Sequence, residues 1–248
     1  MARSVSLLPP IEKEYVWEGR RRFYQIGDQV RPGVTTVLGA TADKTWIRSW
    51  EERIGQDEAE RVRQHAATRG TQLHKRLENE LVCAPAQLSL LDEAETDRLG
   101  MTGEVDQLWI SASYVLPRID HVRLIEGNVF WDDKQRRSDF GTGYAGCIDC
   151  VAELDGELRV IDWKTSRHIR KKREWMTDYF VQAAAYRQAL KQRYADTVDW
   201  STLSGAAVIL FNTEGEPPQI ELLDNEELDM CWLGFQSRLR RFHANHRS

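Results

Sequence analysis

Asp155-Gly156 stands between two short apolar runs, Cys150-Val151-Ala152-Glu153-Leu154 and Glu157-Leu158-Arg159-Val160-Ile161. An Asp-Gly pair supplies the positive-φ positions of a tight hairpin turn, so the second run is expected to fold back along the first. That brings Asp149, just before the first run, and Asp162, just after the second, to the same end of one sheet. Lys164 lies two residues beyond Asp162, so both side chains share a face, while Trp163 points the other way and leaves its backbone carbonyl at the strand end. Two carboxylates so placed can hold a hard divalent cation, and a lysine beside them suits phosphate-ester chemistry.

Around this hairpin the 248-residue chain divides in character. Residues 14–39 read as a β-hairpin (Tyr15-Val16-Trp17 and Phe23-Tyr24-Gln25-Ile26). Pro32-Gly33 breaks it, and the segment Val34–Leu38 is extended or starts a helix. Helical patterns follow at 43–55, at 56–82 and at 89–114. In the second of these, Leu73, Leu77 and Leu81 form an apolar stripe with His74 and Glu78 alongside. Ala84-Pro85 ends that helix. Strands are expected at 121–131, 143–154, 157–163, 206–212 and 219–223, with helices at 174–194 and 224–244. The reading is therefore an α/β chain with a mixed central sheet flanked by helices, preceded by a helix-rich N-terminal half. Its expected organisation is residues 1–120 as an N-terminal hairpin and helical region and 121–248 as the core, packed as one unit.

With 34 Lys and Arg against 39 Asp and Glu, the net charge of −5 does not advertise a nucleic-acid binder. Local patches govern phosphate contact, however. One is Arg20-Arg21-Arg22. The denser one, Arg167 to Arg173, follows directly on Asp162-Trp163-Lys164-Thr165-Ser166. Read as DNA contacts, these segments offer Thr165, Ser166, Arg167, Arg170, Lys171, Lys172 and Arg173. Cys147 and Cys150 are three apart on a strand and so point to opposite faces, which argues for core cysteines rather than half of a metal site. No apolar run is long enough to span a membrane, and the first ten residues lack the features of a secretory leader. The expectation is a cytosolic protein of bacterial or phage origin with reduced thiols.

The series Gly146-x-x-Asp149, Asp162-Trp163-Lys164-Thr165-Ser166 and Gln182-Ala183-Ala184-Ala185-Tyr186, preceded by Arg69-Gly70-Thr71-Gln72-Leu73-His74, resembles the PD-(D/E)xK nucleases in their RecB-like branch. Within it the series is most similar to the mitochondrial genome maintenance exonucleases and their bacterial and phage relatives. The resemblance implies a restriction-endonuclease-like core. It implies Mg²⁺ or Mn²⁺ bound by His74, Asp149, Asp162 and the Trp163 carbonyl, with Lys164 catalytic, as the base. It makes Gln182 and Tyr186 supports of the site, Arg69 a DNA contact, and Glu126 and Glu78 lesser acidic candidates. The cysteine spacing of branch members that carry an iron–sulfur cluster is not matched, so no cluster is expected. No helicase motif is seen, which implies a stand-alone nuclease. The activity implied is a DNA exonuclease on single-stranded or flapped DNA with a free end, its helical first half an arch through which the strand threads. A restriction-like or structure-specific endonuclease and an inactive DNA-binding module are the alternatives. Most of the nine tryptophans are expected in the core, with Trp46, Trp50 and Trp175 as candidates for stacking on bases.

Overall fold

In a computed structural model the Asp-Gly turn closes the hairpin as expected, with φ of 55° at Asp155 and 80° at Gly156. The structure describes residues 4–19, 21–82, 102–135 and 140–246. The hairpin strands are the centre of a five-stranded sheet. Its strands are β4 (Ile119–Trp131), β5 (Tyr144–Leu154), β6 (Glu157–Ser166), β7 (Gly205–Asn212) and β8 (Gln219–Leu223), in that order across the sheet. All pairings are antiparallel except β6 with β7, which is parallel. That one parallel pair needs a crossover, and helix α5 (Thr177–Arg193) provides it. Strand β6 runs on to Ser166 because its pairing with β7 continues to Ser166↔Asn212.

Helices cover both faces. On one face α5 packs on the sheet with Ala183, Ala184, Ala185 and Ala189 all buried, small residues that let neighbouring backbones approach closely. Helix α6 (Asn225–Ala244) packs behind it, started by a capping box in which Asp224 and Glu227 bond each other's backbone. On the other face lie α3 (Gln56–Val82) and α4 (Thr102–Ser113). Leu73, Leu77 and Leu81 of α3 are buried against Cys150, Ile161 and Trp163. Each fully buried leucine contributes about 1.5–3 kcal/mol, so this stripe fixes the rotation of α3 and with it the direction of His74.

A second, three-stranded antiparallel sheet comprises β1 (Glu14–Glu18), β2 (Arg21–Ile26) and β3 (Gln29–Pro32). The third strand is an addition to the sequence reading, in which Pro32-Gly33 only ended the hairpin. It is held by Arg31, buried and bonded to both carboxylate oxygens of Asp132 at 2.8 and 3.1 Å. Val34–Thr41 is a helix, α1, and Thr45–Ile54 is α2. Gly33 bridges to Ala145, which ties this N-terminal unit to β5. The expected helix at 89–114 is seen as α4 from 102 onward; residues 89–101 and the end of α3 at Ala84-Pro85 lie outside the described residues. Among the described residues no helix is long and apolar enough to cross a membrane.

Candidate metal centre and catalytic site

The last paired residues of β5 and β6 are Cys150↔Ile161, so Asp149 and Asp162 stand opposite each other one step beyond. There the two strands part. Asp149 fills the opening, and its Oδ2 accepts a hydrogen bond from the Trp163 amide at 2.7 Å. The amide and carbonyl of one strand residue point to the same edge, so the Trp163 carbonyl also faces this opening.

On the other side of β5, the flanking pairs Ile125↔Cys150 and Gly127↔Ile148 put Glu126 across from Asp149. Glu126, Asp149 and Asp162 therefore form one transverse row over three strands. A bulge creates this alignment: between Asp120↔Glu153 and Leu124↔Val151, three residues of β4 stand opposite one of β5. The backbone is bent at Glu126 itself, with φ of 43°. His74 reaches the row from α3, its Nδ1 3.0 Å from Glu126 Oε1 and 3.7 Å from Asp149 Oδ1. Ligand atoms of His74, Glu126 and Asp149 lie within 4.8 Å of one another. Glu126, a lesser candidate from sequence, thus stands nearer the centre of the donor set than Asp162 does.

Asp162 is fully buried. Its Oδ1 accepts from Gln182 Nε2 at 2.8 Å, and the same amide lies 3.3 Å from the Tyr186 hydroxyl. Lys164 Nζ is 2.5 Å from Oδ2, yet that buried oxygen has no hydrogen bond of good geometry. An under-coordinated carboxylate oxygen beside two further carboxylates and an imidazole is a donor set that fits a divalent cation taking oxygen and nitrogen ligands.

The same α5 turn explains Gly146. A Cβ there would sit 2.5 Å from Cε1 of Tyr186, so the glycine is required by space rather than by backbone conformation. Gln182 and Tyr186, one turn apart, are both buried and both support the row. Glu78, one turn after His74, is half-buried, and burial with the charge of Glu126 raises its carboxyl.

The electrostatics follow from Asp149 and Asp162 beside Lys164, with Glu126 and Asp149 beside His74. Burial, and then the neighbouring Asp162, push the Asp149 carboxyl well above the usual carboxylate range. Burial works against charge on His74, but the hydrogen bond it donates to Glu126 and the charge of Asp149 outweigh it and hold the imidazole above its ordinary value. Burial likewise opposes charge on Lys164, and Asp162 and Asp149 override it. Lys164 is therefore held as an ammonium. In that form it donates hydrogen bonds and stabilises negative charge.

The basic segments are less open to DNA than their sequence suggests. Arg69 is buried, its Nη1 2.7 Å from Glu104 Oε2. Ser166 is buried and accepts from the His168 amide, and Thr165 is half-buried at the end of β6. Arg173 is held by Glu221 and Glu227 at 2.5 and 2.6 Å. Lys171 lies 3.3 Å from the Tyr179 hydroxyl. Arg167, 3.5 Å from Glu104, is exposed, as are Arg170 and Lys172. Arg173 is exposed as well, but its guanidinium is taken up by the two glutamates, which leaves Arg170 and Lys172 as the exposed cations of the run without a carboxylate partner among the described residues.

Cys150 is a core residue as expected, but Cys147 is not. It lies on the site face, with its Sγ 3.6 Å from Glu126 Oε2. Its thiol is pushed up by burial and then by Glu126, so it is held protonated. Trp46 and Trp175 are exposed and Trp50 is half-buried; Trp17, not singled out from sequence, is 61% exposed.

A mixed five-stranded sheet flanked by helices, carrying carboxylates and a lysine where its two central strands part, defines a metal-dependent nuclease of the restriction-endonuclease-like fold. The family model of the PD-(D/E)XK nuclease superfamily matches residues 44–241, and the chain belongs to that superfamily. It is similar to mitochondrial genome maintenance exonuclease 1 of Homo sapiens, 26% identical over 220 residues, which covers 86% of this chain and 58% of that protein. The Mus musculus and Xenopus tropicalis proteins of the same name are 26% and 27% identical over 218 and 221 residues. Each match covers 85% of this chain, and 58% and 57% of the relative. The chain thus spans somewhat under three-fifths of the length of these relatives.

Proposed function

We propose that this protein is a Mg²⁺- or Mn²⁺-dependent DNA exonuclease acting on single-stranded or flapped DNA with a free end. The observation that carries the reading is the transverse row Glu126–Asp149–Asp162 with Lys164 beside it and His74 above it. His74, Glu126, Asp149, Asp162 and the Trp163 carbonyl would hold the cation, which when bound lowers the pKa of a coordinated water and neutralises phosphoryl charge. The imidazole in the donor set favours Mn²⁺ as an activating ion alongside Mg²⁺.

The protein's own groups supply the rest. The Lys164 ammonium, steadied by Asp162, donates hydrogen bonds to a phosphoryl oxygen as negative charge builds on it. Gln182 fixes the Asp162 carboxylate through Oδ1, and Tyr186 backs Gln182. Arg167, Arg170 and Lys172 bind flanking phosphates by charge. The helices α2, α3 and α4 of the N-terminal half act as a wall or arch that admits a strand end. The exonuclease name of the similar proteins supports end-dependent cleavage over the endonuclease alternative.

The test is a time course on DNA labelled at either end, single- and double-stranded, with Mg²⁺ or Mn²⁺ and a chelator control. Stepwise loss of nucleotides from a linear single strand is expected, with closed circular single-stranded DNA left intact. Rapid cutting of the circle would make the enzyme an endonuclease. Asp162→Ala should abolish cleavage while DNA binding persists; a variant that still cuts would refute the site.

A further inference from the structure

Away from the carboxylate row, a groove of about 470 Å³ lies between the β1–β2 hairpin and α1. Trp17, Arg21, Arg22, Thr36 and Lys44 are among its lining residues; three of the lining side chains are cationic and none is acidic. Trp17 and Arg22 are direct cross-strand partners, so they present one surface together. On the same face, Arg22 lies over the rings of Tyr15 and Tyr24, 5.1 and 5.2 Å from their centroids. Among the described residues neither Arg22 nor Lys44 is paired with a carboxylate. Most other arginines near the site are so paired, Arg69 and Arg173 included.

The groove is joined to the catalytic row. Thr36 Oγ1 and the Gly33 amide both donate to the Arg22 carbonyl, at 2.7 and 3.3 Å, and Gly33 bridges to Ala145, the residue before Gly146. Buried Tyr24 lies beneath Gly33, where a Cβ would stand 3.1 Å from its ring.

Resting on the nuclease reading, we propose that this groove is a second single-strand subsite. Trp17 stacks on a base while Arg22 and Lys44 take phosphates of the same strand, on its way to or from the carboxylate row. An exposed ring beside unpaired cations is the arrangement that holds a single strand without reading its sequence. A duplex buries its base faces and cannot offer one to Trp17.

The test is fluorescence anisotropy with a dye-labelled oligothymidylate of roughly 20 nucleotides, longer than one single-strand site, in EDTA and over a range of salt. Trp17→Ala should weaken binding about 5- to 160-fold, and Trp17→Phe should restore most of it. Arg22→Gln and Lys44→Gln should each flatten the slope of log K against log salt by about 0.7, and Arg22→Lys should keep it. Thermal melts check that each variant is folded. Variants that bind like the wild type, or a duplex of equal length held as tightly as the strand, overturn the subsite. Cleavage by the wild type, read in parallel with Mn²⁺, tests the other reading separately. Cleavage with unaffected variants refutes the groove alone, whereas weakened variants of a non-cleaving wild type refute the nuclease alone.

Discussion

Replacing Gly146 by alanine tests how the site is braced. The new Cβ would stand 2.5 Å from Cε1 and 3.3 Å from Cδ1 of Tyr186. The Tyr186 ring is 4% exposed, so it cannot swing into solvent. Overpacking of this kind costs about 1–3 kcal/mol, which in a chain of this size lowers Tm by roughly 2–12 °C. Displacing Tyr186 also disturbs Gln182, which orients Asp162 at 2.8 Å, so cleavage should fall further than stability alone explains. Urea titration should show a lower midpoint with an unchanged slope. The decisive measurement is the same substitution in a Tyr186→Leu background, which lacks the ring edge. There Gly146→Ala should cost little, giving a coupling within the 0.5–3 kcal/mol range of contacting residues. An equal cost in both backgrounds would refute the account of Gly146 as a space requirement.

Gln182→Leu removes the amide that holds Asp162 Oδ1 and should lower metal affinity or cleavage about 10- to 100-fold, measurable by calorimetry with Mn²⁺. The folded-state titrations of His74 and Asp149 are both raised in the metal-free protein. Each group's contribution to stability is complete below its unfolded pKa, about 6.5 for His74 and 3.9 for Asp149, and is lost as pH rises through its folded value. Metal binding needs both groups deprotonated, so Mn²⁺ affinity should climb with pH; an affinity that falls as pH rises would contradict this. Glu126→Gln should move the His74 titration to lower pH, followed by NMR of the metal-free protein. Arg173→Ala should change stability by less than about 1 kcal/mol and leave the salt dependence of DNA binding as it was. Arg170→Ala should flatten that slope by about 0.7; equal effects from the two would show that Arg173 is free to bind DNA.

Local patterns carried the hairpin. The Asp155-Gly156 turn fixes the register of β5 against β6, and that register alone sets Asp149 opposite Asp162. The leucine stripe of α3 likewise foretold which way His74 faces. Features that depend on distant chain segments were not readable. Without the bulge in β4, the register of Asp120↔Glu153 would have put Glu126 across from Cys147 rather than Asp149. Nothing local to Glu126 announces that offset. Strand β3 is not legible in the sequence because it has four residues, a charged Arg31 and a terminal proline; the partner that neutralises Arg31, Asp132, is 101 residues away. Arg69 and Arg173 read as DNA contacts because their partners, Glu104 and Glu221, are 35 and 48 residues distant. A basic run shows its charge in the sequence, but not which charges are already neutralised. Gly146 was found by pattern, while its cause, a tyrosine on another element, was visible only in space.

The transverse row has a consequence for how the chain can vary. Its three carboxylates come from three adjacent strands, so their spacing is that of the sheet itself, roughly 4.8 Å per strand, set by main-chain hydrogen bonds. The connection between β4 and β5 could lengthen or shorten without altering this built-in ruler, whereas sliding one strand by two residues would replace Glu126, Asp149 or Asp162 in the row with a neighbour. Tolerance to change should therefore lie in the loops, and intolerance in strand register.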